Sequence, residues 1–250
     1  MSLSRFYLAP DQWSDPGPLW LGAEEAHHCT RVLRKRAGDE VELFDGRGRV
    51  AGARIIGARK ELVELQIESE TRHAPLPHAV QVLPALIKGE AFEWLLEKAV
   101  ELGAAAVRPV ITANSVMQWD KAQAEKKMAK WRRHMQEAAK QCHTPFLPEL
   151  HEPVALADLL AATDHEALRL VPALFGQVRS LVKVVADWGP RTHRAQVLIG
   201  PEGDFLPEEL QAAVTAGFQP VTLGPLILRA ETATVATLAF LTQTWAEGSA

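Results

Sequence analysis

The sequence predicts an α/β protein in two parts, a small β-barrel followed by a larger domain built on a mostly parallel, covered sheet. Three observations carry this reading. Short polar–apolar alternations recur between residues 39 and 67. A stretch with two prolines and no periodicity follows, Thr71–His78. Beyond it, short apolar runs alternate with longer segments of helical period.

Asp39–Phe44 alternates polar and apolar side chains, Asp45-Gly46-Arg47-Gly48 supplies turn chemistry, and Arg49–Ile56 and Leu62–Ile67 resume an extended pattern. With one helix near Ala23–Leu33, these strands suggest a barrel closed to protect its edges. The domain boundary is placed in Thr71–His78, giving domains 1–72 and 73–250. Strands are then expected at Ala79–Ile87, Ala105–Ile111, Glu166–Leu174, Ala195–Ile199 and Pro220–Leu223. Ala91, Phe92, Leu95, Leu96, Ala99 and Val100 mark one helix face, with Gly103 where the cap belongs. Pro207, Glu208 and Glu209 open another helix, and Gly217 closes it.

Composition excludes several classes. An apolar share of 47% and a charged share of 23% suit a folded chain rather than a disordered one. No apolar run approaches the ~20 residues needed to span a bilayer. The opening residues reach Asp11 without a long apolar core, so no secretory signal and no membrane partner are expected. Cys29 and Cys142 make no disulfide framework, which fits a cytoplasmic protein. The net charge of −4 hides an asymmetry: residues 121–140 carry seven basic side chains against two acidic ones. A polyanion responds to that local field rather than to the total.

Two segments concentrate chemistry. Leu198-Ile-Gly-Pro-Glu-Gly-Asp-Phe205 follows an apolar strand and precedes a helix, at the strand end where α/β proteins bind ligands. Gly200 and Gly203 let the backbone bend and approach a ligand. Glu202 suits a ligand with an amine or positive centre rather than a phosphate; an ordinary glycine-supported turn is the bland alternative. Leu223–Thr234 also follows a strand. Its Gly-Pro pair forces a loop, and Leu226–Leu228 followed by Arg229 and Glu231 reads as a pocket wall beside an ionic pair. The alternative makes Glu231 the first turn of a helix through Trp245 and buries the leucines in the core.

Ala124, Met128, Trp131, Met135, Ala138 and Cys142 form a buried helical stripe, and most cations of 121–140 lie off it. That face is either a surface for a polyanion or an ordinary solvated one. Arg31, Arg34, Lys35 and Arg36 form a smaller cluster with the same two readings. His27-His28 and the isolated cysteines offer no metal-ligand spacing, and no Walker, HExxH, GxSxG or dinucleotide glycine motif occurs.

Taken together, Arg31-Val-Leu-Arg, Gly38-Asp39, Phe44-Asp-Gly, Lys88-Gly89, Lys98–Gly103, Glu137–Cys142, Leu198–Phe205 and Leu223–Thr232 resemble the RsmE family, the 16S ribosomal RNA uridine-N3 methyltransferases of the SPOUT class. The resemblance spans nearly the whole chain. It implies a PUA-like RNA-binding barrel, then an α/β domain with a trefoil knot that binds S-adenosyl-L-methionine, and a homodimer acting on 16S rRNA of the small subunit. It implies a cofactor loop of Ile199, Gly200, Pro201, Glu202 and Gly203, and a facing wall of Leu223, Gly224, Ile227, Leu228 and Ala230. Arg229 and Glu231 match its polar pair; with Glu202 they are the catalytic candidates, and no metal is implied. RNA contacts are expected from Arg31, Arg34, Lys126, Lys127, Lys130 and Arg133. The chain departs from the family's frequent Glu-Arg-Ser-Val at Ala113-Asn114-Ser115-Val116, and lacks an arginine near Thr144. Methylation of a ribose 2′-hydroxyl and non-catalytic RNA binding are the competing expectations.

Overall fold

Alternation puts Val41, Leu43, Ala51, Ala53, Ile55, Val63 and Leu65 on one face of the first strands, and all are buried in a single cluster. The structure, a computed structural model, describes residues 3–13, 17–59, 62–115, 119–162, 164, 166–174, 177–189 and 193–247. By internal contacts the chain forms two units, Met1–Pro75 with Ala139–Leu147, and Leu76–Ala138 with Pro148–Ala250.

The first unit holds β1 (Ser4–Tyr7), β2 (Leu19–Leu21), α1 (Ala23–His27) running into a π turn over His28–Val32, β3 (Glu40–Phe44), β4 (Arg49–Arg59) and β5 (Leu62–Arg72). The sheet order is β1-β3-β4-β5-β2. Its end strands β1 and β2 are not paired with each other among the described residues, so the closure expected of the barrel is not completed by hydrogen bonds. Register shifts at Gly52/Ala53 and Ile55/Gly57 curl the long β4–β5 hairpin around the core instead. The 139–147 segment is anchored here: Arg5 donates to the Ala139 carbonyl at 3.1 Å, Gly48 N–H to that of Pro145 at 3.0 Å, and Leu147 N–H to that of Gly46 at 2.9 Å.

The second unit contains β6 (Ala79–Pro84), α2 (Gly89–Glu101), β7 (Ala106–Val107), β8 (Val110–Ile111), most of α3 (Ala124–Cys142), β9 (Glu149–Leu150) and β10 (Val154–Ala155). It continues with α4 (Leu156–Ala161), β11 (Leu168–Pro172), β12 (Arg179–Ser180), α5 (Leu181–Trp188), β13 (Arg194–Ile199), α6 (Pro207–Thr215), β14 (Gln219–Thr222) and α7 (Ala230–Glu247). Seven strands form a sheet of order β12-β14-β11-β13-β6-β7-β9, parallel at every described pairing. The strand expected over Ala105–Ile111 is two short ones, because Pro109 has no N–H to continue the ladder. One half, β7, stays in the main sheet; the other, β8, pairs with β10.

Runs such as Val197-Leu198-Ile199 are buried throughout, as strands covered on both faces require. Leu83, Val171 and Leu198 join Leu156, Leu159, Ala213 and Phe218 in one core, while α7 packs on α2, β6 and β13. Each such Leu, Val or Phe side chain contributes about 1.5–3 kcal/mol by leaving water. Gly103 (φ +71°) ends α2: its N–H reaches the Val100 carbonyl and that of Ala104 reaches Ala99, which closes the helix in a left-handed cap. Gly217 does the same for α6. No helix among the described residues is long and apolar enough to cross a membrane.

Candidate active site

The adjacent strands β14, β11 and β13 end at Thr222, Pro172 and Ile199. The loops that leave them open a cavity of about 530 Å³ at the carboxyl edge of the sheet. This is the position that parallel topology provides for ligands, and the size is ordinary for a cofactor site. Its wall is mixed. Ile199, Val221, Leu223, Leu226, Ile227, Leu228 and Leu174 supply apolar surface; Lys88, Glu202, Asp204, Arg229 and Glu231 supply charge.

Both sequence segments meet here. Ile199, Gly200, Pro201 and Glu202 line one side, and Leu223, Gly224, Ile227, Leu228, Arg229, Ala230 and Glu231 the other. Gly203 does not line it. After β13 the chain makes a turn in which the Asp204 N–H donates to the Pro201 carbonyl at 3.0 Å. The residue that takes the left-handed conformation is Asp204 (φ +61°), not Gly203, and Asp is one of the few side chains that tolerates it. A Cβ on Gly203 would meet the Asn114 side chain at ordinary contact distances of 3.4–3.6 Å, whereas one on Gly200 would press on the Phe205 ring at 3.1 Å. The glycine with an unusual backbone is Gly224 (φ +129°), held by Thr222, whose hydroxyl exchanges bonds with its N–H and carbonyl.

Two further expectations change. Arg229 and Glu231 form no ion pair with each other among the described residues; both line the cavity separately. Leu226 and Ile227 are not core residues: they are 74% and 79% exposed at the cavity rim. The helix through Trp245 does begin at this point, as α7 starts with Ala230.

Sequence reasoning missed three contributors. Lys88 lines the cavity, and its backbone N–H donates to Glu202 Oε1 at 3.2 Å. Asn114 Nδ2 donates to the carbonyls of Gly203 at 3.2 Å and Asp204 at 3.0 Å, while Glu209 Oε1 accepts the Ala113 N–H at 2.8 Å. The 113–114 turn is thus fastened to the loop beside the cavity. Lys88 was findable, since it follows an apolar strand just as Gly200 does; Asn114 stood out only as a departure from the family's arginine, with nothing local to signal its bonds to the 203–204 backbone.

The stripe of α3 is buried at Met128, Trp131, Met135 and Ala138, with Trp131 against Phe92. Off the stripe, Lys126, Lys130 and Arg133 are exposed and Lys127 is half-buried, 5.8 Å from the centre of the Trp119 ring. Lys130 is ion-paired with Glu93, so this face is not a uniform set of unengaged cations. Arg31 and Arg34 are exposed in the first unit.

Comparison with known proteins places this geometry. Residues 74–242 match the family model of the RNA methyltransferase domain, and residues 21–68 that of the RNA methyltransferase PUA domain. Fold and site together therefore define an RNA methyltransferase of α/β architecture with a PUA-like N-terminal domain. A ribosomal RNA small subunit methyltransferase E of Synechocystis is 31% identical over 241 residues, covering 94% of this chain and 76% of that one. Among solved structures, a methyltransferase of Legionella pneumophila in complex with bound SAM superposes with a TM-score of 0.89 at 30% identity, 98% of each chain being covered. A ribosomal RNA small subunit methyltransferase E of Neisseria gonorrhoeae bound to S-adenosyl methionine gives 0.88 at 29%, again over 98% of each. The chain belongs to the ribosomal RNA small subunit methyltransferase E family.

Proposed function

We propose that this chain methylates N3 of a uridine in 16S rRNA of the small ribosomal subunit, using S-adenosylmethionine held in the cavity at the ends of β11, β13 and β14. The carrying observation is that one cavity gathers both glycine-containing loops in a chain of this family. The cavity fits the cofactor chemically. Its apolar wall suits an adenine ring, Gly224 admits close backbone approach, and the carboxylates suit a ligand with positive centres. Ile199, Gly200, Pro201, Glu202 and Gly203 form the loop on one side of it; Leu223, Gly224, Ile227, Leu228 and Ala230 form the wall on the other.

When bound, the cofactor supplies a sulfonium methyl already activated toward a nucleophile. The protein's share is alignment and proton removal. The cavity walls hold the acceptor in line, a task of proximity. Uracil N3 becomes nucleophilic only as its proton leaves, so a carboxylate within hydrogen-bond reach must accept it; of the three that line the cavity, Glu202 and Glu231 are the candidates, Asp204 being bonded within its own turn to the Phe205 N–H. Arg229 stabilises negative charge developing on the uracil carbonyl oxygens. The target base leaves its stack to reach the cavity.

We assign residues 1–72 to a PUA-like RNA-binding domain and 73–250 to a SPOUT-type domain with a C-terminal trefoil knot, acting in the cytoplasm as a homodimer. The out-of-sequence strand order β14-β11-β13-β6 supports the knot, and the exposed Leu226 and Ile227 beside the cavity support a second subunit there. Arg31, Arg34, Lys126, Lys127, Lys130 and Arg133 contact phosphates. The decisive experiment is transfer of labelled methyl to small subunits, and to naked 16S rRNA, from a strain lacking the enzyme. Nuclease digestion and mass spectrometry should return 3-methyluridine; a 2′-O-methyl nucleoside, or no transfer, overturns the assignment.

A further inference from the structure

Three carboxylates line the cavity. Asp204 serves its own turn, its Oδ1 accepting the Phe205 N–H at 2.8 Å, and the other two are engaged differently. Glu202 Oε1 accepts the backbone N–H of Lys88 at 3.2 Å, across 114 positions of sequence. Lys88 is the N-cap of the thirteen-residue α2, and no side chain caps that end locally. Glu202 therefore ties the start of α2 to the turn after β13, and Lys88 is itself part of the cavity wall. Taking up a proton would neutralise the carboxylate that accepts this bond and so weaken the tie. Glu231 is placed otherwise. It lies in the first turn of α7, half-buried, with Ala230 and Ala233 beside it on the cavity wall. Among the described residues no hydrogen bond or ion pair engages its carboxylate.

We infer that Glu202 is a positioning residue, holding Lys88 and the start of α2 against the cofactor loop, and that Glu231 is the group that accepts the uracil N3 proton. The inference rests on the function proposed above. In the step, the N3–H bond breaks and its proton ends on a Glu231 oxygen. The N3 electron pair forms the bond to the methyl carbon, and the carbon–sulfur pair leaves with sulfur, now a neutral thioether. No further reactant is needed.

Glutamine separates the two roles, because its amide oxygen still accepts an N–H but does not take up a proton at working pH. Glu202→Gln, Glu202→Ala and Glu231→Gln are compared in the full-length protein. S-adenosylmethionine affinity is read by calorimetry, and single-turnover methylation of small subunits across pH. Glu202→Gln should lose less than about tenfold in rate and keep the acid limb of the pH–rate profile. Glu202→Ala should lose cofactor affinity relative to Glu202→Gln, by about two- to tenfold, the scale of one neutral hydrogen bond, since the glutamine amide is uncharged. Glu231→Gln should bind cofactor within a few-fold of the parent, yet lose about 10²–10⁴ in rate together with the acid limb.

A large rate loss in Glu202→Gln with the acid limb gone, or a retained acid limb in Glu231→Gln, overturns the division. The affinity comparison needs no turnover, so it tests the tie even if Glu202→Ala is slow to fold at high temperature and must be measured cold; equal affinities for the alanine and glutamine variants refute it. Failure of the underlying reading looks different. The parent enzyme would then bind cofactor and leave N3 unmodified, seen in the mass of the product and in no variant.

Discussion

Replacing Gly224 by alanine isolates backbone geometry from packing. At φ +129° only glycine rests without strain, and the cost to another residue is of the order of 1–3 kcal/mol. No atom of the described residues lies within 4 Å of the added Cβ, so no steric clash with them contributes. The neighbouring loop is weakly held, with Leu226 and Ile227 exposed and Thr222 providing the bonds to Gly224. The loop should therefore relax toward negative φ rather than carry the strain, moving one wall of the cavity. A strain of ~1–3 kcal/mol transferred to binding is a loss of about 5–150-fold in cofactor affinity. Gly203→Ala is the matched control: its φ is not in the left-handed region and its Cβ meets Asn114 at an ordinary 3.4 Å. It should lose less than about threefold. Calorimetric titration with S-adenosylmethionine, with thermal melts alongside, reads both. Equal losses in the two variants, or none in Gly224→Ala, would refute the argument from backbone geometry.

Arg229→Lys keeps charge but loses the planar fork of donors, so the single-turnover rate should fall by roughly 10²-fold with little change in cofactor affinity; dissociation of the assembly in sedimentation would instead make Arg229 an interface residue. Gln at Lys126, Lys127, Lys130 and Arg133 together should weaken RNA binding and flatten its salt dependence, the log–log slope falling by roughly 0.7–0.9 for each phosphate no longer neutralised. Lys130 must leave Glu93 before it can meet a phosphate. An unchanged slope would assign that face to solvent. His78 is 8% exposed, neither ring nitrogen has a hydrogen-bond partner among the described residues, and burial, then His193, pushes its pKa below the ordinary histidine range. The unfolded chain therefore binds the proton more readily, so stability is full above the unfolded value near 6.5 and declines as pH falls through it. His78→Leu should flatten that acid-side decline in chemical denaturation, and an unaltered pH dependence would contradict the role given to His78.

Patterns with a local cause were legible in the sequence. Alternation located β3, β4 and β5, the 4-3-4-3-4 spacing located α3, and Gly103 and Gly217 marked helix ends because a left-handed cap needs them. Both wall segments of the cavity were legible because each follows a strand. What escaped depends on partners far away in sequence. Nothing in the unbroken period of α3 signals that Ala139–Cys142 belongs with the first unit; the Arg5 and Gly48 bonds decide it. The turn at 201–204 was misread because a glycine drew attention from the aspartate beside it, whose left-handed backbone is supported by Asn114, 90 residues earlier.

The pairing of β6 with β13 has a consequence during synthesis. Gln81 meets Gln196 across 115 positions, so Val80, Val82 and Leu83, fully buried in the finished sheet, are made long before their neighbour on that side exists. At ribosomal rates of about 5–20 residues per second the wait is on the order of 5–25 s. The nascent chain carries a central apolar strand with one edge open through that interval, and the cavity cannot exist until Glu231 has also emerged. A fragment released before β13 would keep that edge exposed, ready to pair with another chain. Premature termination of this protein should thus yield aggregates rather than a partly active enzyme.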